Sequence, residues 1–426
     1  MLYDEWGFTE PPFLQKALPA SDVGDRLLVG RARIAEQISR RLAGGGRVVS
    51  LEGPNGVGKT SLVNVVAYRN YQAALNDHRH PLLIPCTETF QLSPDMEIPD
   101  FIRRVHLAIA QTLVVYSERL QDTLRELDPD QPLARWLNHP QTNSYSGGLG
   151  PVQFGVNTAN NETDGFLSQG LPDRVRKRLS EIFPNPAEGG VVCVLDNLEL
   201  LQESAAARRI LETLRDPLLT MPGTRWVLCG ALGIVQGVAA SPRFDGLIHE
   251  PIEVGGLADE TVPEVLASRV AAFAIPGRQQ YLPLDPNDFD ELYTRLGKNL
   301  RSLLGKVDDY CHWCADEEFH PDEKREKRII FKKWLSFVSE KAETSVSGQL
   351  TSRGWEIFDR AIELGGAFSP QDHAEFGCNS PQALRPYVRQ LEVAGLVASS
   401  KDEGDKRRKT IDVVAKGWLV NIARRG

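Results

Sequence analysis

The sequence has no apolar run approaching the ~20 residues that a membrane-spanning helix needs. Its opening stretch, MLYDEWGFTEPPF, is acidic and aromatic and lacks the apolar core of a secretory leader, so a cytoplasmic protein with no membrane partner is expected. A large excess of positive charge is also missing. The formal net charge is −8, which excludes a general polycation and confines any nucleic-acid contact to local patches. Cysteine is scarce, with six in 426 residues, and only CHWC at 311–314 looks arranged. Cys311 and Cys314 with His320 would supply three zinc ligands, but there is no second CxxC, and the run continues a helical pattern; a helix is the better reading. There is no internal repeat and no long low-complexity tract. With a hydrophobic fraction of 41% and a charged fraction of 25%, the chain has the composition of an ordinary globular protein of two or three domains.

What is present begins with the alternation of elements. Residues 1–28 show little periodicity and read as an extended lead-in. Ile34, Ile38 and Leu42 recur at helical spacing, and the triple glycine after them ends that helix. RVVSLEG, HPLLIPCTETF, GGVVCVLD, TRWVLCG and LIHEPIEV read as strands, with helices between them, which argues for a parallel α/β sheet over residues 29–256. Residues 143–165 interrupt this region with glycines and a VQFGV alternation, a hairpin or loop insertion. From 257 to 342 the pattern is helical, ending in a basic helix read as a solvated face. Residues 343–426 read as three helices followed by strand, basic turn and strand, the order of a winged helix-turn-helix.

The strongest signal is Gly53-Pro54-Asn55-Gly56-Val57-Gly58-Lys59-Thr60, with Ser61 opening the helix beyond it. A GxxxxGKT loop between a strand and a helix is a P-loop. Its backbone N–H groups and the helix dipole cradle phosphates, Lys59 reaches the β- and γ-phosphates, and Thr60 ligates Mg²⁺. Asp196, at the end of VVCVLD, takes the second Mg²⁺-holding position. The next residue is Asn197, where many P-loop ATPases place a glutamate, and Glu199 follows two residues later. An asparagine orients water but cannot take its proton. The strand WVLCG offers only Cys229, Gly230 and Ala231 at its tip, with no polar sensor.

These motifs, in the order LLVGRARIAEQISRRL, P-loop, VVCVLDN, SPRF and GKNLRSLL, resemble an AAA+ ATPase. The branch is that of origin-recognition initiators, STAND signalling ATPases and transposon-targeting ATPases. The resemblance covers roughly residues 25–320 and implies an ASCE P-loop domain with a helical lid, extended to the C-terminus by the winged-helix pattern. By that resemblance Val29, Gly30 and Arg31 lie beside the adenine pocket, Arg243 reaches a neighbouring subunit's γ-phosphate, and Arg301 is the lid arginine that senses nucleotide. It implies ATP and ADP as ligands, Mg²⁺ as cofactor, and a homo-oligomer or partner protein. Asn197 and the missing sensor depart from the pattern and put hydrolysis, not binding, in question.

In the C-terminal module, Ser380 and Pro381 open the helix that resembles a recognition helix, and Leu384, Val388, Leu391 and Leu396 point to its core. Arg385 and Arg389 share another face, and Lys406, Arg407, Arg408 and Lys409 make a basic tip suited to DNA phosphates, diluted by Asp402, Glu403 and Asp405. Two functions compete: an ATP-dependent switch assembling with or on DNA in replication, transposition or a mobile element, and a STAND-like signalling ATPase, for example in antiviral defence, whose winged helix meets a protein.

Overall fold

The computed structural model describes residues 2–77, 80–93, 96–121, 170–198, 204–231, 234–239, 241–400 and 410–425. The 143–165 insertion, Glu199 and the Lys406–Lys409 tip lie outside the described residues.

Five strands form one parallel sheet: β1 (Val49–Glu52), β2 (Leu82–Gln91), β3 (Gly189–Asp196), β4 (Thr224–Gly230) and β5 (Ile252–Glu253), in the order β2-β3-β4-β1-β5. Every residue of β1, β3 and β4 is buried, because helices cover both faces; this is why those strands read as continuous apolar runs rather than alternations. The covering helices are α3 (Ala32–Gly44), α4 (Lys59–Asn76), α5 (Ile98–Gln121), α6 (Leu171–Ile182), α7 (Ser204–Leu214) and the short α8 (Ile234–Ala239). Strand β4 is inserted between the strand that feeds the P-loop and the strand that ends in Asp196. This additional-strand order, with the glycine-rich loop after β1 and helices beyond the sheet, is the arrangement that the resemblance to AAA+ ATPases implies.

The lid consists of α9 (Val262–Phe273), α10 (Pro286–Arg295), α11 (Leu300–Asp316) and α12 (Lys324–Thr344). The CHWC run lies within α11, where Cys311 and Cys314 share one buried face. Among the described residues no group of three or more His, Cys, Asp or Glu side chains is placed to hold a metal ion. The stretch expected to be an extended lead-in instead folds onto the lid through α1 (Leu2–Glu5) and α2 (Asp22–Leu27). Tyr3, Trp6, Phe8 and Phe13 are buried in the lid core with Phe289, Tyr310 and Trp334. Helices of four and six residues carry too little periodicity to be read from a pattern.

The C-terminal unit holds α13 (Ser352–Glu363), β6 (Ala367–Phe368), a 3₁₀ turn at Pro370–Ala374, α14 (Pro381–Val393), β7 (Val397–Ser400), β8 (Thr410–Val413) and α15 (Ala415–Arg425). Its sheet has the order β6-β8-β7 and is antiparallel. Leu384, Val388, Leu391 and Leu396 are buried, and Arg385 and Arg389 are exposed on another face of α14. Helix α15 gives Val420 to the core of this unit and Leu419 and Ile422 to the lid core. Trp418 lies against both, with its ring so close to Gly297 of the lid and Gly366 of the C-terminal unit that a Cβ on either would meet it.

Candidate functional site

The site lies where β1 gives way to α4. Gly53 passes the backbone of Val254 so closely that a Cβ there would sit 2.1 Å from the Val254 carbonyl oxygen. Gly58 caps α4 with φ +94°, a conformation glycine adopts without the cost of a Cβ. Helix α4 then starts at Lys59, and its first-turn N–H groups, which helix geometry leaves without i−4 acceptors, face the loop. Lys59 is buried, and its Nζ donates to the carbonyls of Gly53 (2.8 Å) and Pro54 (3.1 Å), so the ammonium is held inside the loop. The Thr60 hydroxyl donates to the Asp196 carboxylate, which joins the P-loop to the tip of β3. This hard, all-oxygen pair has the chemistry of a Mg²⁺ site, so Thr60 and Asp196 fit the ion that a nucleotide brings. Bound there, Mg²⁺ would offset phosphate charge.

The cleft around this point is lined by Asn55, Gly56, Val57, Gly58, Lys59, Thr60 and Ser61 on the loop side and by Asp196 and Asn197 at the sheet edge. Leu28, Val29 and Arg31 line it from the segment before α3, and Leu257, Val265, Leu300, Arg301 and Leu304 from the lid. Val29, Arg31 and Arg301 thus line the same cleft as the P-loop. Gly30 takes φ +69° beside Thr261 at the foot of α9. Arg31 is mainly a strut. It donates to the carbonyls of Val57 (3.2 Å), Gly255 (2.7 Å) and Gly256 (3.3 Å), tying the P-loop to the crossover into the lid. Burial lowers its pKa from the usual guanidinium value. Arg243 is exposed in a 3₁₀ turn, Pro242–Phe244, and does not line this chain's own cleft.

Asn197 follows Asp196 with φ +55°, the left-handed region that asparagine tolerates better than other residues with a Cβ. The tip of β4 carries Cys229 and Gly230, both buried. Neither residue supplies a strong general base or a polar sensor. Turnover by the isolated protein is therefore expected below the ordinary range of roughly 1–1000 per second. A steady-state phosphate-release assay checks this; a brisk rate abolished by Glu199→Gln would make Glu199 the base and overturn the expectation.

Three contributions were not read from the sequence. Asn299 caps α11 by accepting from Ser302 N (3.0 Å) and also donates through Nδ2 to the Asn55 carbonyl (2.6 Å), so one amide holds the lid to the P-loop. Residues Gln15, Lys16, Ala17 and Leu18 line the cleft, fixed by Leu18 N donating to Ser61 Oγ (3.0 Å) and Asn64 Nδ2 donating to Leu18 O (3.0 Å). Arg269 of α9 lines it too. An N-cap asparagine one residue before the helix was a readable signal for Asn299; for the others the pattern carries none.

No family model matches the chain, and no curated protein matches its sequence. Solved structures similar to it include the ORC1 protein of Aeropyrum pernix in complex with DNA, at 16% identity over 97% of both chains with a TM-score of 0.43. The ADP form of the ORC2 protein of the same organism is similar at 12% identity over 98% of both chains, with a TM-score of 0.47. Domain III of the Thermotoga maritima replication initiation protein DnaA matches at 11% identity over 76% of this chain and 98% of its own, with a TM-score of 0.34. At such identities and scores these likenesses say nothing of ligand, reaction or partner. Among the described residues no helix is long and apolar enough to cross a membrane.

Proposed function

We propose that the chain is an ATP-dependent molecular switch that assembles with or on DNA through its C-terminal unit, read as a winged helix. The observation that carries this reading is the contrast within one site. The Thr60 hydroxyl is bonded to Asp196 and the Lys59 ammonium to the Gly53 carbonyl, an arrangement that suits a nucleotide with Mg²⁺, while the position beyond Asp196 holds a left-handed asparagine instead of a catalytic carboxylate. Such a site favours holding a nucleotide over consuming it. The lid grips the loop directly, through Asn299 to Asn55 and through Arg301 N to the Gly56 carbonyl (3.2 Å), so the nucleotide state reaches the lid through backbone contacts. Arg243, exposed and away from its own cleft, is the candidate to enter a neighbour's site in a homo-oligomer.

Arg385 and Arg389 on the exposed face of α14 are the candidates for base contacts, and Lys406, Arg407, Arg408 and Lys409 for phosphate contacts. Replacing those four by alanine is expected to weaken duplex binding for all sequences. Each lost phosphate contact should reduce the log–log salt slope by about 0.9. Arg385→Ala should cost sequence preference more than general affinity. Mobility-shift titrations over a salt series, with and without ATP, read both effects. A four-alanine variant that binds DNA like the parent would overturn the DNA reading and favour the STAND-like alternative, with a protein partner on this surface.

A further inference from the structure

Arg243 is exposed, but the backbone that carries it is tied down on both flanks. Ser241, 2% exposed, caps the 3₁₀ turn: its Oγ accepts from Arg243 N (3.4 Å) and donates to Glu212 Oε1 of α7 (2.6 Å). On the other side Phe244 is buried in the sheet core. One helical turn before Glu212, Arg208 Nη2 donates to the carbonyl of Gly237 in α8 (2.8 Å). Helix α7 therefore grips both α8 and the turn that follows it.

The other end of α8 reaches the P-loop strand. Gln236 N lies in the first turn of α8, where helix geometry leaves N–H groups without acceptors, and it donates to Glu52 Oε1 (2.6 Å). Glu52 is buried, ends β1 and directly precedes Gly53. It pairs with Gly230 at the tip of β4, the place where the sequence lacks a polar sensor. A continuous run of contacts thus joins the strand that feeds the P-loop to the base of Arg243, through Glu52, α8 and Ser241 with Glu212. A side chain on such a fixed base loses less freedom on docking than one on a mobile loop.

Resting on the reading of Arg243 as the residue that enters a neighbouring copy's nucleotide site, we propose that Glu212 and Glu52 are positioning residues for Arg243. Glu212 sets the turn from which the arginine leaves, and Glu52 ties that turn, through α8, to the P-loop of the same chain. The arginine that one copy offers its neighbour is thereby aligned to its own nucleotide loop.

The test measures ATP-dependent self-association by sedimentation velocity and ATP affinity by calorimetry. The proteins are the parent, Glu212→Ala, Glu212→Gln, Arg243→Ala and the double variant Glu212→Ala/Arg243→Ala. Glu212→Ala is expected to weaken association about fivefold or more, with ATP affinity within about twofold of the parent. Glu212→Gln, which keeps an acceptor for the Ser241 hydroxyl, should restore association. The double variant should associate like Arg243→Ala alone, because Glu212 then has nothing to position. Losses that multiply would make Glu212 an independent structural residue and overturn the proposal, as would parent-like association of Glu212→Ala. Ser241→Ala removes the same bond from the other side and carries the test if Glu212→Ala does not fold. Glu52→Ala should be non-additive with Arg243→Ala in the same way, and multiplying losses there would overturn its part. A parent that binds ATP but stays monomeric, or an Arg243→Ala variant that associates like the parent, overturns both the proposal and the role of Arg243 while leaving the nucleotide reading intact. A parent that binds no ATP overturns the nucleotide reading and the proposal with it.

Discussion

Lys59→Ala is expected to weaken ATP binding by about a hundredfold or more, a loss of ~3 kcal/mol at 1.4 kcal/mol per tenfold. The Lys59 ammonium is buried at the start of α4 and held between the carbonyls of Gly53 and Pro54. In the proposed nucleotide site this buried cation would meet the β- and γ-phosphates, and hydrogen bonds between ionised groups are about twice as strong as neutral ones. Alanine removes the charge and leaves two loop carbonyls without their donor. The Thr60–Asp196 bond is not touched by the change, so the loss is specific to the phosphates. Calorimetric titration with ATP measures it. Parent-like binding by the variant would remove the nucleotide reading.

Phe8→Ala is expected to destabilise the fold by about 3–5 kcal/mol, the usual range for a fully buried phenylalanine. Phe8 is 0% exposed and packs edge-on to Tyr3, with ring centroids 6.5 Å apart. Its segment is locked to the lid by Thr9 N donating to Phe273 O (2.8 Å) and Ile275 N donating to Gly7 O (2.9 Å). Deleting the ring opens a void among Tyr3, Phe13 and the lid aromatics, which rigid helices cannot fill by collapse. Urea unfolding checks the value, with exposed Glu10→Ala, expected within about 0.5 kcal/mol of the parent, as control. Two variants of equal stability would return residues 1–28 to the status of a passive lead-in.

That expectation shows where the sequence is legible and where it is not. The P-loop could be read because local geometry makes it: a strand, a glycine turn and a helix start lie within a dozen residues, whereas Asp196 and Arg301 were named from their place in the order of motifs. The CHWC run was decided by period, since cysteines three apart on a helix share a face, and that face is buried in the lid core. Asn197 was visible as a departure from a pattern, but the left-handed backbone it adopts was not. Strand β5 reduces to two residues of the longer run expected, because only Ile252 and Glu253 pair with β1. Arg269, Gln15 and Leu18 lie far from the loop in sequence and join it only through tertiary packing, which periodicity cannot report. Arg31 lines the cleft, yet its side chain serves three backbone carbonyls, a role that depends on where Gly255 and Gly256 pass.

The composition of the lid core has a consequence in time. It contains Tyr3, Trp6, Phe8 and Phe13, the helices between Val262 and Leu335, and then Leu419 and Ile422 of α15. A ribosome adds ~5–20 residues per second, so Tyr3 waits roughly half a minute for Ile422 to be made. The sheet, whose strands all lie between Val49 and Glu253, has its full set of partners far earlier. During the last part of the interval the lid core lacks only Leu419 and Ile422 among its buried members, and the surface that later receives Trp418 and Leu419 stays open. Newly made chains therefore expose the part of the lid that α15 covers to chaperones and to each other after the P-loop sheet has all its strands.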